Sequence, residues 1–360
     1  MNKKILRLLA LLVLAGAILT GCAAGIRAES TPGVTVTDDY VYVAYMSNLY
    51  QLDRFNGLQV SSFPEKASAN LAMYAAPAVE DGFVYIGDLA NDFHKLTEGN
   101  LTQQVWNFEG ARGWYQAKPA LSENLVIAPS TDRNIYAIDI ATGSQVWVYR
   151  GEFAFIAEPV VVEDKLIVSA QDHHVFVLDS KTGEEIYRVE TKGAVLAPPL
   201  YDPETDMVFF GSLGREMVAF DFRTGEVKWI YGEGTDLETI WATPIMLDNQ
   251  LVFTDKNGKI IALDPETGAE LWQTSAGGTV IAGVTLVEDQ GFLVAREDGT
   301  MSFYSSATQS GDWTVTVPGK IYRKPVIDGD QIFVSVIDAD ALIYTYNLTG
   351  VPAWSFSPSN

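Results

Sequence analysis

The sequence predicts an all-β fold: one eight-bladed β-propeller of four-stranded antiparallel blades. Three observations point there. A strand–turn–strand unit, Ile261-Ala262-Leu263-Asp264-Pro265-Glu266-Thr267-Gly268-Ala269-Glu270-Leu271-Trp272, recurs along the chain. Its turn reappears from Asp53 to Gly57, Asp139 to Gly143, Asp179 to Gly183 and Asp221 to Gly225. No helical period persists anywhere, so a repeated β unit has to be recognised before any fold is assigned.

Residues 1–21 read as an export signal. Lys3, Lys4 and Arg7 precede an apolar run from Leu8 to Leu19, too short to cross a hydrocarbon core of ~30 Å as a helix. The run ends in Leu19-Thr20-Gly21-Cys22, and Cys22 is the only cysteine. This pattern resembles the bacterial lipoprotein signal, which implies acylation of Cys22 and cleavage before it. Two or more acyl chains anchor stably where one does not. Residues 22–30 then form a lipidated tether with a reach of at most ~29 Å over Ala23 to Ser30. A lone cysteine permits no disulfide, so the domain over 31–360 has to be stable through packing.

Two anchors mark the repeats. Pro32, Pro77, Pro119, Pro159, Pro199, Pro244 and Pro325 open an apolar strand, with Gly283 filling the gap, at spacings of 39 to 45 residues. Trp106, Trp147, Tyr187, Trp229, Trp272, Trp313 and Trp354 close the units at spacings of 40 to 43. Their recurrence at one position reads as packing between blades. The first unit has Ser61 at that place, with Phe63 as the substitute. Within each unit four strands, A to D, are expected to alternate apolar and polar residues. In the sixth they run over Thr243–Leu247, Gln250–Thr254, Lys259–Asp264 and Glu270–Thr274.

Such a sheet cannot bury both faces alone, and a ring of them leaves only short edges. A linear stack of β-repeats is the competitor, disfavoured because neither end carries a distinct polar cap. Closure by blade-on-blade packing and closure by a strand from the residues after Cys22 both remain open at this stage.

The Ala-x-Pro opening, the Leu-Asp-x-x-Thr-Gly turn and the closing Trp resemble the pyrroloquinoline-quinone-like repeat over nearly the whole mature chain. Together with the lipoprotein signal and eight units, the chain resembles the BamB-like lipoproteins of outer-membrane β-barrel assembly. That resemblance implies a non-enzymatic scaffold, lipid-anchored at the periplasmic face of the outer membrane or the cell surface. The alternatives are a propeller binding a small ligand or glycan and, less favoured, a quinone-dependent oxidoreductase. Relatives that use the quinone are longer, with an adjacent-cysteine disulfide and a calcium site, and a single cysteine argues against that cofactor here.

No catalytic residue, metal or cofactor is expected. Asp172-His173-His174 falls at a hairpin turn, where Asp serves the backbone. His94 reads as a half-buried packing residue. Asp255-Lys256-Asn257-Gly258 lacks the later Glu of a calcium loop.

The formal charge of −22 becomes −25 without Lys3, Lys4 and Arg7, which excludes nucleic acid as a partner. A–B and C–D turns should share one face, D–A and B–C turns the other. Sorted this way, the first carries roughly −20 and the second about −5. The less acidic face also bears Tyr74, Trp114, Tyr115, Phe153, Phe155, Leu196, Trp241, Tyr322 and Arg323, of which the aromatics and Arg are types enriched at interface hot spots. Two readings are open for them: a contact face for a membrane-associated protein, or a plug for the channel mouth. The tether leaves from that same side.

Overall fold

The computed structural model describes residues 31–66, 71–306 and 311–358, so the export signal, Cys22 and the tether lie outside the described residues. From Thr31 onward the chain forms one compact unit. Its strands make eight four-stranded antiparallel sheets, each of four strands consecutive in sequence. The sixth blade has strand A at Ile245–Leu247, B at Gln250–Thr254, C at Lys259–Leu263 and D at Glu270–Ser275. Strand A starts two residues later than expected. Pro244 has no N–H for a ladder, and the Thr243 hydroxyl instead donates to the Pro198 carbonyl of the fifth blade at 2.6 Å.

The alternation expected of every strand fails on the middle strands. Glu270–Ser275 alternates exposed and half-buried residues, whereas Leu125–Pro129 of the third blade is buried throughout. Its Val126 and Ala128 pack toward Tyr85 and Phe93 of the second blade. Leu125 and Ile127 pack toward Leu166 and Phe176 of the fourth. An inner strand sandwiched between two blades has no wet face, so it reads as a continuous apolar run. Each such Val, Ile or Phe contributes about 1.5–3 kcal/mol by leaving water.

The turn chemistry repeats as the sequence indicates. Asp264 Oδ1 accepts the backbone N–H of Glu266 at 3.1 Å and of Thr267 at 2.8 Å, plus the Thr267 hydroxyl at 2.8 Å. Asp139, Asp179 and Asp221 do the same for their own turns. Gly268 follows at φ +70°, a conformation side chains with Cβ rarely adopt. The closing tryptophan of the preceding blade lies on that glycine: a Cβ on Gly268 would sit 2.6 Å from the Trp229 ring. The Trp229 indole N–H donates to the Pro265 carbonyl at 2.9 Å. Trp106 and Trp147 donate likewise to Ile140 and Ser180, at 3.0 and 3.1 Å, and the Tyr187 hydroxyl to Phe222. Trp272 differs, donating within its own blade to Gln250 Oε1 at 2.7 Å.

The first blade solves its missing tryptophan with two residues. The Ser61 hydroxyl accepts the Leu101 N–H of the second blade at 3.0 Å. Phe63 packs into the cluster between these blades and lies 5.0 Å from the His94 ring.

The ring closes by blade-on-blade packing. The last blade is complete with its own four strands, ending in Pro352–Phe356. Val41, Val43 and Leu52 of the first blade share a core with Phe333, Ile343 and Phe356 of the last. Arg54 makes an ion pair with Asp328 at 2.5 Å and donates to the Asp328 carbonyl at 3.0 Å.

Candidate partner interface

Ion pairs between turns show how the faces are composed. Arg223, in the C–D turn of the fifth blade, pairs with Glu163 and Asp206, both in A–B turns. Lys181 reaches Glu123 in the same manner, at 2.9 Å. On the other side, D–A and B–C turns meet: Arg215 pairs with Glu238 at 3.3 Å and Lys320 with Asp338 at 2.9 Å. Up-and-down strands place alternate turns at opposite ends, so the sorting follows from the topology.

The aromatic residues of the D–A side divide by depth. Tyr74, Tyr115 and Phe155 are buried. Phe155 packs against Tyr149 and Phe176. Tyr115 lies 5.2 Å from Phe93, and burial drives its hydroxyl well above its ordinary value. These three form the floor beneath the face. Trp114 and Phe153 are exposed, at 48% and 54%. Trp241 is half-buried, its indole N–H on the Thr239 hydroxyl at 2.9 Å and the Lys256 ammonium 5.7 Å from its ring.

Around the axis, a small residue opens most A strands: Ala117, Ala157, Ala197, Ala242 and Ala282. The eighth blade has Arg323 there. Its Nε donates to the Thr31 hydroxyl at 3.0 Å and its Nη2 to the Tyr74 carbonyl at 3.1 Å, bridging the last blade to the first two. Burial lowers its guanidinium from the ordinary value. Arg323 is therefore a clasp of the ring, a role that Ala at the equivalent positions hides from sequence reading. Tyr322 beside it donates its hydroxyl to Glu297 at 2.7 Å.

Trp241, Tyr322, Arg323 and Lys324 line a cavity of about 600 Å³ at the mouth of the axial channel. Lys324 is exposed to this cavity, yet partial loss of solvation among the surrounding residues lowers its ammonium to about 8. Lys118 also faces the channel and pairs with Glu158 at 3.0 Å.

His94 is buried rather than half-buried, paired with the buried Asp88 carboxylate at 3.0 Å. His174 Nδ1 lies 2.9 Å from the Asp172 carbonyl, within the hairpin turn. Among the described residues, no group of three or more His, Cys, Asp or Glu converges to hold a metal ion. The donors present do not fit a quinone with its calcium, and the Arg323 guanidinium is occupied by Thr31 and Tyr74.

The family profile described as "Outer membrane protein assembly factor BamB" matches residues 45–153, 152–280 and 256–360. A protein of that name from Kangiella koreensis is 28% identical over 152 residues, 38% of this chain and 37% of the relative. One from Alteromonas naphthalenivorans is 24% identical over 132 residues, 31% and 32% of the two chains. The match thus spans about a third of the length of either relative. In fold, the chain is similar to the crystal structure of BamB from Moraxella catarrhalis: TM-score 0.71, 15% identity, 87% of this chain and 92% of that one. It is equally similar to the computationally designed Ika8 protein, with TM-score 0.75, 17% identity and coverage of 89% and 96%. A natural assembly factor and a designed ring share this architecture, so the fold leaves function open. The profile, in contrast, follows this chain's repeats from the first blade to the last, and on that ground the chain belongs to the BamB family of outer-membrane protein assembly factors.

Proposed function

We propose that this chain is an exported, lipid-anchored accessory of outer-membrane β-barrel assembly. It would act as a rigid scaffold that holds a membrane-associated protein partner and catalyses no reaction itself. The observation that carries this reading is the family match across the whole ring, joined to a ring whose buried aromatic and charged groups are engaged in packing and closure. What remains for recognition is breadth of surface. The D–A and B–C side is the proposed contact face, because it bears exposed Trp114 and Phe153 and less of the acidic excess. Cys22 supplies the membrane attachment.

The test is crosslinking in native membranes from photo-reactive residues at Trp114 and, as the opposite-face control, at Glu266. Capture of a barrel-assembly component from position 114 and not from 266 supports the scaffold and its orientation. Capture from neither position, with barrel-protein levels unchanged when the chain is deleted, refutes the scaffold.

A second reading rests on the channel mouth. Its cavity of about 600 Å³, with Trp241, Tyr322 and Lys324, has the size and mixed lining of a small-ligand site. Thermal stabilisation by a soluble anionic glycan, lost in Trp241→Ala, would favour it.

A further inference from the structure

The arginines of the described residues fall into two groups. Arg54, Arg188, Arg215, Arg223 and Arg296 are held in ion pairs, and Arg323 by carbonyl and hydroxyl oxygens. The other three, Arg112, Arg133 and Arg150, have no ion-pair partner among the described residues, and all three are exposed. They come from three different segments: the loop between the second and third blades, the B–C turn of the third, and the end of its D strand. All three line one groove of about 800 Å³.

The groove has internal order that leaves the guanidinium groups unengaged. Asp132 is its carboxylate, and it is saturated locally. Its Oδ2 accepts the Arg112 N–H and the Tyr136 hydroxyl, both at 2.7 Å, and its Oδ1 accepts the Asn134 N–H at 3.1 Å. Asp132 therefore shapes the loop that presents Arg112. Tyr136 and Val148 add apolar wall. A neighbouring cavity shares Arg112 and Asp132 and continues to exposed Trp114.

In a chain with a formal charge of −22, three arginines outside any ion pair line one cleft with a single carboxylate, Asp132, and run against the overall field. A guanidinium fork matches a carboxylate in two parallel hydrogen bonds. Resting on the scaffold reading above, we propose that this groove docks an extended, acidic segment of a protein partner. Its carboxylates would meet Arg112, Arg133 and Arg150, and an apolar side chain would lie against Trp114. A bilayer surface fits less well. The site is a cleft rather than a plane, a shape that suits an extended chain.

The test uses the full chain in detergent and a fluorescein-labelled extended peptide of alternating Glu and Leu, read by polarisation. Wild type should bind, with affinity falling steeply as salt rises. The triple variant Arg112→Glu/Arg133→Glu/Arg150→Glu should bind roughly tenfold or more weakly, and the triple Arg→Gln variant should fall between. Arg215→Glu, from an arginine already paired with Glu238, should change binding less than about twofold. Equal binding by wild type and both triple variants, with unchanged thermal melting, overturns the proposal. So does flotation of wild type on phosphatidylglycerol vesicles without peptide binding, or a dimer that disappears in the triple variant. Partner capture in native membranes that survives the triple variant overturns this site alone and leaves the scaffold reading standing.

Discussion

Trp354 of the last blade lies on Gly57 of the first, and its indole N–H donates to the Arg54 carbonyl at 3.0 Å. The same relation joins Trp106 to Gly143 and Trp229 to Gly268 within the ring. Chain ends separated by the whole propeller are thus joined by the device that joins neighbours.

Removing that device at the seam should cost more than removing its hydrogen bond. Trp354→Ala is expected to lower stability by about 3 kcal/mol. Trp354→Phe, which keeps an aromatic on the glycine, should lose about 1 kcal/mol. Gly57→Ala should also destabilise, because φ is +71° and a Cβ would lie 2.4 Å from the ring. Urea unfolding followed by tryptophan fluorescence measures all three.

Arg323 should behave as a structural residue. Arg323→Met removes the donors to the Tyr74 carbonyl and the Thr31 hydroxyl at the axis, so a loss of about 1–3 kcal/mol is expected. Arg323→Lys should recover part of it, since an ammonium donates but lacks the fork that spans both acceptors. Thermal melting of the two variants separates these outcomes.

The C–D turns should weaken in acid. The Thr267 hydroxyl, then the backbone N–H groups of Thr267 and Glu266, hold the Asp264 carboxyl below its ordinary value. A folded pKa below the unfolded one gives stability that is present above ~pH 4 and lost as pH falls through the lower folded value. Asp139 is depressed by its Thr142 in the same way. Asp264→Ala should therefore destabilise at pH 7 and differ little from wild type near pH 2, as read from melting curves.

Lys324 should show a slope of the same sign, displaced to higher pH. Its ammonium, exposed at the channel mouth but lowered to about 8 by desolvation, is harder to charge in the folded chain than in the unfolded one. Between about pH 8 and the unfolded value of ~10.4, the unfolded chain binds more protons, so stability should rise with pH. Lys324→Met should be more stable than wild type at pH 7, and the gap should shrink by pH 10.

Cys22→Ala should move the chain from the membrane pellet to the soluble fraction after cell fractionation, without changing its fold. Retention in the pellet would contradict anchoring through that cysteine.

The features legible in the sequence are those made by neighbours. Asp264, Thr267 and Gly268 are a few residues apart, and their turn reads directly because its hydrogen bonds close within it. Trp229 and Trp272 are legible as packing residues from their period, but the sequence does not reveal that Trp272 turns back to Gln250. The inner strands were expected to alternate and do not, since alternation presumes one wet face and a propeller gives its middle strands none. Arg323 is open in the sequence to both a contact role and a plug of the channel mouth, because composition cannot distinguish a guanidinium facing solvent from one that meets carbonyls at the axis.

The sequence by itself determined the local turns, their period and hence the number of blades, because each depends on contacts within about a dozen residues. Only the tertiary structure decided which charges are engaged and which are free. Arg323 finds Thr31 across 292 positions and Arg54 finds Asp328 across 274. Arg112, Arg133 and Arg150 are left open in one cleft. Such partners are set by ring closure, which brings distant loops to one place, and no local pattern records where they meet.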